Sequence, residues 1–251
     1  LDGGDLGPER KLYYRELIAR FGHHLALEWN LCEEYNLQLD YGPSRIREFA
    51  EYIQRLDPYD HPITVHSAGD PLKKLAFTFG DSRFSLTSVQ LNHRRIDTLV
   101  ESLRKATAKS GRPLPISMDE FTLDVGQEQS WMPFDRANLH RKTKLWPTYF
   151  SGGMIEFILE GLLEVESFKT NERTALWRST KIARTFMEEN LPFWEMNPAD
   201  DKVVGETTLT VGQGKGQTFE LGAQVFDLPG VVTAIYYPIS TQLGRVDLSD
   251  F

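Results

Sequence analysis

Cysteine and basic residues are scarce in this sequence. Cys32 is the only cysteine among 251 residues, which excludes an internal disulfide and any zinc site built from several cysteines. Acidic residues outnumber Lys and Arg by 36 to 28, so the formal net charge is −8, and no basic run stands out. This balance argues against a nucleic-acid partner and against an anionic membrane surface.

Long apolar runs, a leader and a phosphate-binding loop are also missing. No stretch reaches the roughly 18 apolar residues of a transmembrane helix, and nothing near Leu1 resembles a signal peptide. No Gly-rich loop follows any predicted strand, which weakens a nucleotide-binding function. Because the chain starts at Leu1 rather than Met, we expect a partial or processed chain.

Helical patterns alternate with short apolar runs along most of the chain. The predicted strands are residues 24–31, 61–69, 83–91, 113–121 and 152–159. Helices are predicted over residues 8–21, 45–56, 93–109, 136–150 and 172–189. Strands joined through helices run parallel, because a tight turn cannot join parallel neighbours. The pattern predicts a doubly wound sheet or a (β/α)8 barrel.

The first helix is predicted to start at Pro8 and to end before Gly22, because Pro is favoured at the first position of a helix and Gly just after its last. Its apolar residues fall close to one face, which we expect to be buried: Leu12, Leu17, Ile18 and Phe21.

The pattern changes near Pro198. Residues 203–248 contain short β-rich pieces separated by Gly and Pro, without a convincing helix. We therefore predict an α/β domain over residues 1–197 and a small antiparallel β domain, sandwich-like, over residues 198–251. Trp194 is expected to pack at the junction between them.

Polar residues cluster after the predicted strands, where ligands bind in both candidate architectures. They are Glu33, Glu34, His66, Gln90, Asn92, Asp119, Glu120 and Glu156. Two acids after two parallel strands suit cleavage of a glycosidic bond, which requires one acid to protonate the leaving oxygen and one carboxylate to attack. Strand-end acids can equally cap the next helix or pair with Lys and Arg.

Two segments carry a family resemblance. "EWNLCEEY" resembles the pattern that ends the fourth strand in the large clan of retaining (β/α)8 glycoside hydrolases, and "PISMDEF" resembles the end of that clan's seventh strand. The phrases "YYRELIARFGHHLALEWNLCEE", "LDPYDHPITVH" and "LPFWEM" are similar to a family of bacterial apiosidase-like barrel proteins whose C-terminal domain is named for collagen binding. The resemblance covers nearly the whole chain.

The resemblance implies a fold. The chain would hold about strands four to eight of a TIM barrel, followed by the β domain. A barrel needs eight strands, so up to three βα units would precede Leu1, and a companion N-terminal segment would complete the barrel. The resemblance also implies an extracellular or periplasmic location.

The resemblance assigns roles to individual residues. Glu34 matches the acid/base and Glu120 the nucleophile of a retaining glycoside hydrolase. Glu33 stands where the clan keeps an Asn that contacts the sugar's 2-hydroxyl, and a carboxylate could accept the same hydrogen bond. Asp119 would face away from Glu120, because successive side chains of a strand alternate.

Further binding residues are predicted around this pair. His66, Gln90 and Glu156 would line the sugar site, and Trp131 could stack on a sugar ring. His66 could equally be a packed core histidine. We predict no metal and no cofactor. The alternative function is a non-catalytic carbohydrate- or matrix-binding protein on a glycosidase-like barrel.

Overall fold

The computed structural model of the protein describes residues 1–37, 41–90, 95–120, 134–156, 171–212 and 217–250. Its α-helices are α1 (Pro8–Phe21), α2 (Gly42–Leu56), α3 (Pro71–Lys74), α4 (Ile96–Lys109), α5 (Phe134–His140), α6 (Trp146–Phe150) and α7 (Asn171–Asn190). A π-helical stretch, Arg141–Leu145, joins α5 to α6. Short 3-10 turns lie at Asp2–Gly4, Ala76–Thr78 and Asp200–Lys202. All five predicted long helices are therefore confirmed.

Within the described residues, thirteen strands accompany these helices. The strands that alternate with helices are β1 (Trp29–Asn30), β2 (Ile63–Thr64), β3 (His66–Ser67), β4 (Thr87–Gln90), β5 (Ile116–Glu120) and β6 (Met154–Ile155). The later strands are β7 (Asn197–Pro198), β8 (Val203–Val204), β9 (Leu209–Gly212), β10 (Thr218–Leu221), β11 (Gln224–Leu228), β12 (Val232–Tyr236) and β13 (Arg245–Val246).

The first six strands follow one another in chain order. β1 pairs in parallel with β2, and β3 pairs in parallel with β4, with His66 opposite Ser88. β1 and β2 form a two-stranded sheet, and a separate four-stranded sheet has the order β3, β4, β5, β6. The protein is thus a mixed α/β protein with parallel pairing where helices intervene. Closure into a barrel stays a prediction.

The chain divides into two compact units. The first comprises residues 1–90 and 102–117, and the second comprises residues 91–101 and 118–251. The predicted domain boundary between residues 197 and 198 stays a prediction.

In the first unit, α2 buries one stripe. Ile46, Phe49, Ala50 and Ile53 recur at helical spacing, and each is at most 3% exposed. Each of the larger side chains contributes roughly 1.5–3 kcal/mol by leaving water.

The predicted buried face of α1 is wrong in part. Ile18 is buried, but Leu12 is 51% exposed and Phe21 is also exposed. Arg10 and Tyr14 face inward instead, and the Arg10 guanidinium lies over the Phe49 ring, 4.4 Å from its centroid. The stem of Arg and the ring of Tyr are apolar and pack well in a core, so the core face of α1 is not its most apolar face.

In the second unit, the late strands pair antiparallel, as predicted. β11 lies between β12 and β7, β9 pairs with β10, and β8 pairs with β13. One core cluster packs residues of α6 and α7 and of the turn after α7 against β11 and β12: Phe150, Met187, Leu191, Met196, Phe226 and Ala234. None of the helices within the described ranges has the length and apolar character needed to cross a membrane.

Candidate active site

The turn after β1 carries both glutamates of the first motif. Backbone hydrogen bonds join it to β2 and β3: Leu31 N donates to Thr64 O (3.0 Å), His66 N to Cys32 O (3.1 Å) and Tyr35 N to His66 O (3.1 Å). The Asn36 side chain also donates to Ala68 O (2.9 Å) and accepts from Ala68 N (3.1 Å). Glu33 and Glu34 therefore lie in a turn that is fixed on both sides.

Glu34 has a strained backbone. Its φ is +41°, in the left-handed region that side chains other than Gly, Asn and Asp seldom adopt. Such a conformation costs of order 1–3 kcal/mol and persists only where the surroundings enforce it. Leu37 N donates to Glu34 O at 3.0 Å and closes the turn. The strained residue of this turn is the one predicted as the acid/base.

His66 connects Glu33 to the neighbouring strand. Its ring is buried, with Nδ1 2.8 Å from Ser88 Oγ and Nε2 3.2 Å from Glu33 Oε1. An ionised carboxylate can only accept, so a neutral imidazole in this position would carry its proton on Nε2 and accept the Ser88 hydroxyl at Nδ1. The Glu33 side chain is 64% exposed, so this chain of contacts runs from a buried serine to an accessible carboxylate.

Asn30 and Cys32 complete the turn. Asn30 Oδ1 accepts from the backbone N of both Cys32 and His66, each at 3.3 Å. The Cys32 thiol lies 3.2 Å from Glu33 O, and burial raises its pKa, which opposes thiolate formation. Cys32 is a structural residue of the turn rather than a nucleophile.

Gln90 ends β4, two residues after Ser88. Side chains two apart on a strand share a face, so Gln90 lies on the face of β4 that contacts His66. It is half-buried. The structure thus places three predicted residues, Glu33, His66 and Gln90, at one end of β1, β3 and β4.

The second motif lies in the second unit. Glu120 is the last residue of β5 and is half-buried, and Asp119 precedes it on the alternate face. Glu156 follows β6, where its backbone N donates to Met118 O at 2.9 Å and its side chain is exposed. Trp131 and Asn92 lie outside the described residues.

Two residues of this site were not predicted from the sequence. Ser88 orients His66, and Asn30 holds the backbone of the turn. Ser88 lies two residues before Gln90 and therefore on the same face of β4. This spacing indicates a contact with His66 only once the pairing of β4 with β3 is known. The expectation that no metal binds stays a prediction, since a carboxylate beside an imidazole is also a zinc donor pair.

Two solved structures are similar to the chain. One is a candidate glycoside hydrolase from Bacteroides vulgatus, 14% identical, with a TM-score of 0.49 over 97% of this chain and 54% of that chain. The other is a glucosidase from Croceicoccus marinus, 12% identical, with a TM-score of 0.46 over 96% of this chain and 61% of that chain.

The chain therefore spans between about half and three fifths of these structures. No family model and no curated protein matches the chain.

Proposed function

We propose that the chain is part of a retaining glycoside hydrolase that cleaves a poly- or oligosaccharide. The observation that carries the proposal is the fixed turn after β1, which contains Glu34 and holds Glu33 beside the buried His66 at the carboxyl end of parallel strands. Ligand sites of parallel α/β folds lie at this end. Glu120 ends β5 and supplies the second carboxylate that the reaction needs.

The proposed reaction has two displacements. Glu120 attacks the anomeric carbon while Glu34 donates its proton to the leaving oxygen, so the glycosidic bond breaks and an alcohol departs. Glu34 then takes a proton from water, whose oxygen attacks the same carbon and releases Glu120. Retention requires the two carboxyl groups to lie about 5–5.5 Å apart in the complete protein.

Glu33 and His66 would position the sugar. The exposed Glu33 carboxylate can accept hydrogen bonds from sugar hydroxyls, and the imidazole of His66 limits its rotation. Gln90 on the same face of β4 and Glu156 would add further polar contacts, and Trp131 would stack on a ring. Ser88 acts through His66 as a positioning residue.

Leaving-group dependence tests the two catalytic roles. Initial rates would be measured on aryl glycosides of several sugars, each with a 4-nitrophenyl and a more acidic 2,4-dinitrophenyl leaving group. We expect Glu120→Gln to abolish turnover of both series. In Glu34→Gln, the rate of glycosidic bond cleavage should fall roughly 10²–10⁴-fold for the 4-nitrophenyl glycosides. It should fall much less for the 2,4-dinitrophenyl glycosides, because this leaving group departs without protonation. Glu189→Gln, an exposed position on α7, is the matched control.

A panel of polysaccharides separates this proposal from the alternative. Ligand binding without hydrolysis in the wild-type protein would favour a carbohydrate- or matrix-binding function. Full activity in Glu120→Gln would contradict the proposed nucleophile.

The proposal includes two further expectations. We propose that a companion segment covers the first unit, in which Leu12, Tyr13, Phe21 and Leu25 are exposed apolar residues. Slower amide hydrogen exchange in residues 23–30 when that segment is added would support it, and unchanged exchange would contradict it. We also propose that the protein is exported to the periplasm or the medium, as the family resemblance implies, and fractionating the producing cells tests this.

A further inference from the structure

A pair of aromatic rings stands on the surface of the second unit, in the turn between α7 and β7. Trp194 is 70% exposed and Phe193 is 39% exposed. The sequence predicts a packed Trp194, so its exposure is a correction of that expectation. We name Phe193, Trp194 and Glu195 the aromatic turn.

The aromatic turn is rigid. Leu191 on one side and Met196 on the other are buried in the core cluster that also holds Phe226. Glu195 N donates to Pro192 O (2.9 Å) and Met196 N to Phe193 O (3.3 Å). The rings are therefore presented by a turn anchored at both ends.

The plane of the indole is also fixed. Trp194 Nε1 donates to Glu195 Oε1 at 3.0 Å, and the two aromatic rings meet edge to face, with centroids 5.3 Å apart and planes at 77°. A side chain held in one orientation before binding loses little conformational entropy on binding. An exposed, pre-oriented indole is thus a built contact surface rather than a loose side chain.

The carboxylate at the rim restricts the ligand. A large apolar protein surface would desolvate Glu195, which is costly for an unpaired charge, and an anionic ligand would be repelled by it. A neutral sugar satisfies both groups, because its C–H face is attracted to the electron-rich ring face and its hydroxyls donate to the carboxylate.

We infer that the aromatic turn is a binding site for a pyranose ring of a neutral polysaccharide, additional to the site after β1. This inference does not depend on hydrolysis, since it uses none of the proposed catalytic residues. The aromatic turn would hold the polymer on the second unit.

Binding of soluble polysaccharides tests the inference. The whole chain would be run in affinity gels containing galactomannan, arabinoxylan or mixed-linkage β-glucan, with polygalacturonate as the anionic comparison. We expect at least one neutral polymer to retard the protein. In the polygalacturonate gel, Trp194→Ala should migrate as the wild type does. Trp194→Ala should weaken the retarding interaction at least tenfold, and Trp194→Phe should retain part of it.

Trp177→Ala is the matched control, because it removes another exposed indole of the second unit, on α7. We expect it to leave retardation unchanged, and both variants should keep the wild-type circular dichroism spectrum. Unchanged retardation in Trp194→Ala would overturn the inference, as would no binding to any of the neutral polymers. If the wild-type protein dimerises or binds gelatin, and Trp194→Ala does not, the aromatic turn is a contact surface for a protein partner. Either outcome would also overturn the inference.

Discussion

Asp57 in the first unit and Asp200 in the second are partly or wholly buried carboxylates with opposite environments. Asp57 accepts four hydrogen bonds: from Trp29 Nε1 (3.0 Å), Tyr59 N (3.1 Å), His61 N (3.0 Å) and His61 Nδ1 (2.8 Å). Burial alone would raise the pKa of Asp57, but these donors outweigh it and lower the pKa below its usual value.

Asp200 has fewer donors and more charged neighbours. Val225 N donates to Oδ1 at 2.6 Å, and Gln224 Nε2 donates to Oδ2 at 3.2 Å. The charged side chains that influence it are Arg95, Asp97 and Glu101. Burial, assisted by the two carboxylates and opposed by the Val225 hydrogen bond and the Arg95 charge, raises the pKa of Asp200 to about 7. Donor number and neighbouring charge, rather than burial alone, decide whether a carboxylate is stable as an anion.

The comparison bears on the candidate site. The hydrogen bond from Trp29 Nε1 to Asp57 joins β1 to the turn that leads into β2, and the turn that holds Glu33 and Glu34 follows β1. His61 extends this contact, with Nε2 2.9 Å from His24 O. Asp57 therefore holds β1, the strand before the candidate site, to the turn before β2, whereas Asp200 makes its contacts within the second unit.

Asp57→Asn should have the largest effect on stability. The four donors around Asp57 now hydrogen-bond to a carboxylate anion, and the Asn amide would present them with a weaker neutral acceptor or with an N–H donor. We therefore expect the free energy of unfolding to fall by roughly 2–4 kcal/mol at pH 7. Urea unfolding followed by circular dichroism measures it. In the wild type, the stabilisation from Asp57 is present above the ordinary Asp pKa and is lost as pH falls through the lowered folded-state pKa.

The neighbouring exposed residue supplies the control for this change. Asp60→Asn should alter the free energy of unfolding by less than about 0.5 kcal/mol, because exposed substitutions usually do so. Equal losses in the two variants would mean that the four donors do not favour the Asp57 anion.

Asp200→Asn should have the opposite sign. In the folded protein Asp200 has a pKa of about 7 and keeps its proton below that pH. Between the ordinary Asp pKa and pH 7 the side chain is ionised in the unfolded chain but not in the folded protein, so the free energy of unfolding falls as pH rises through this interval. The neutral amide removes this penalty. We expect the variant to be more stable than wild type by on the order of 1–3 kcal/mol at pH 8, with little difference at pH 4.

Unfolding free energies at a series of pH values test this sign. A variant less stable than wild type at pH 8 would show that the Asp200 anion is favoured in the folded state. Asp201→Asn, an exposed neighbour, should leave the pH profile unchanged.

The sequence predicted the long helices well because their packing is repetitive, whereas the strands are shorter than predicted and the predicted strand over residues 61–69 is two strands, β2 and β3. The apolar residues of α2 and α4 recur every three or four residues, and Ile46, Phe49, Ile96 and Val100 among them are buried. It failed for the face of α1, where Arg10 occupies a core position by stacking on Phe49. It also failed for Trp194, because local apolarity does not show whether a neighbour covers a side chain.

The candidate site was predictable in part for the same reason. The carboxyl ends of parallel strands share an edge, which predicts that Glu33 and His66 approach each other, and they do. The left-handed backbone of Glu34 and the contact from Ser88 to His66 depend on tertiary hydrogen bonds that leave no local pattern.

Gln224→Met should have the smallest effect, with a sign that changes with pH. The Gln224 side chain is buried and donates to Asp200, while its Oε1 has no hydrogen-bond partner within the described part of the chain. Below pH 6, where Asp200 is protonated in the folded state, replacing this amide by an apolar side chain of similar size should be neutral or slightly stabilising.

At pH 8.5 the anion of Asp200 loses a donor, its pKa rises further above about 7, and we expect a loss of roughly 0.5–1 kcal/mol. Unfolding free energies of the variant and the wild type at pH 5.5 and pH 8.5 measure the difference. A loss of the same size at both pH values would mean that Gln224 acts through packing alone. Tyr236→Phe, which removes the buried hydroxyl of another side chain in the second unit, should give a change that does not depend on pH over this range.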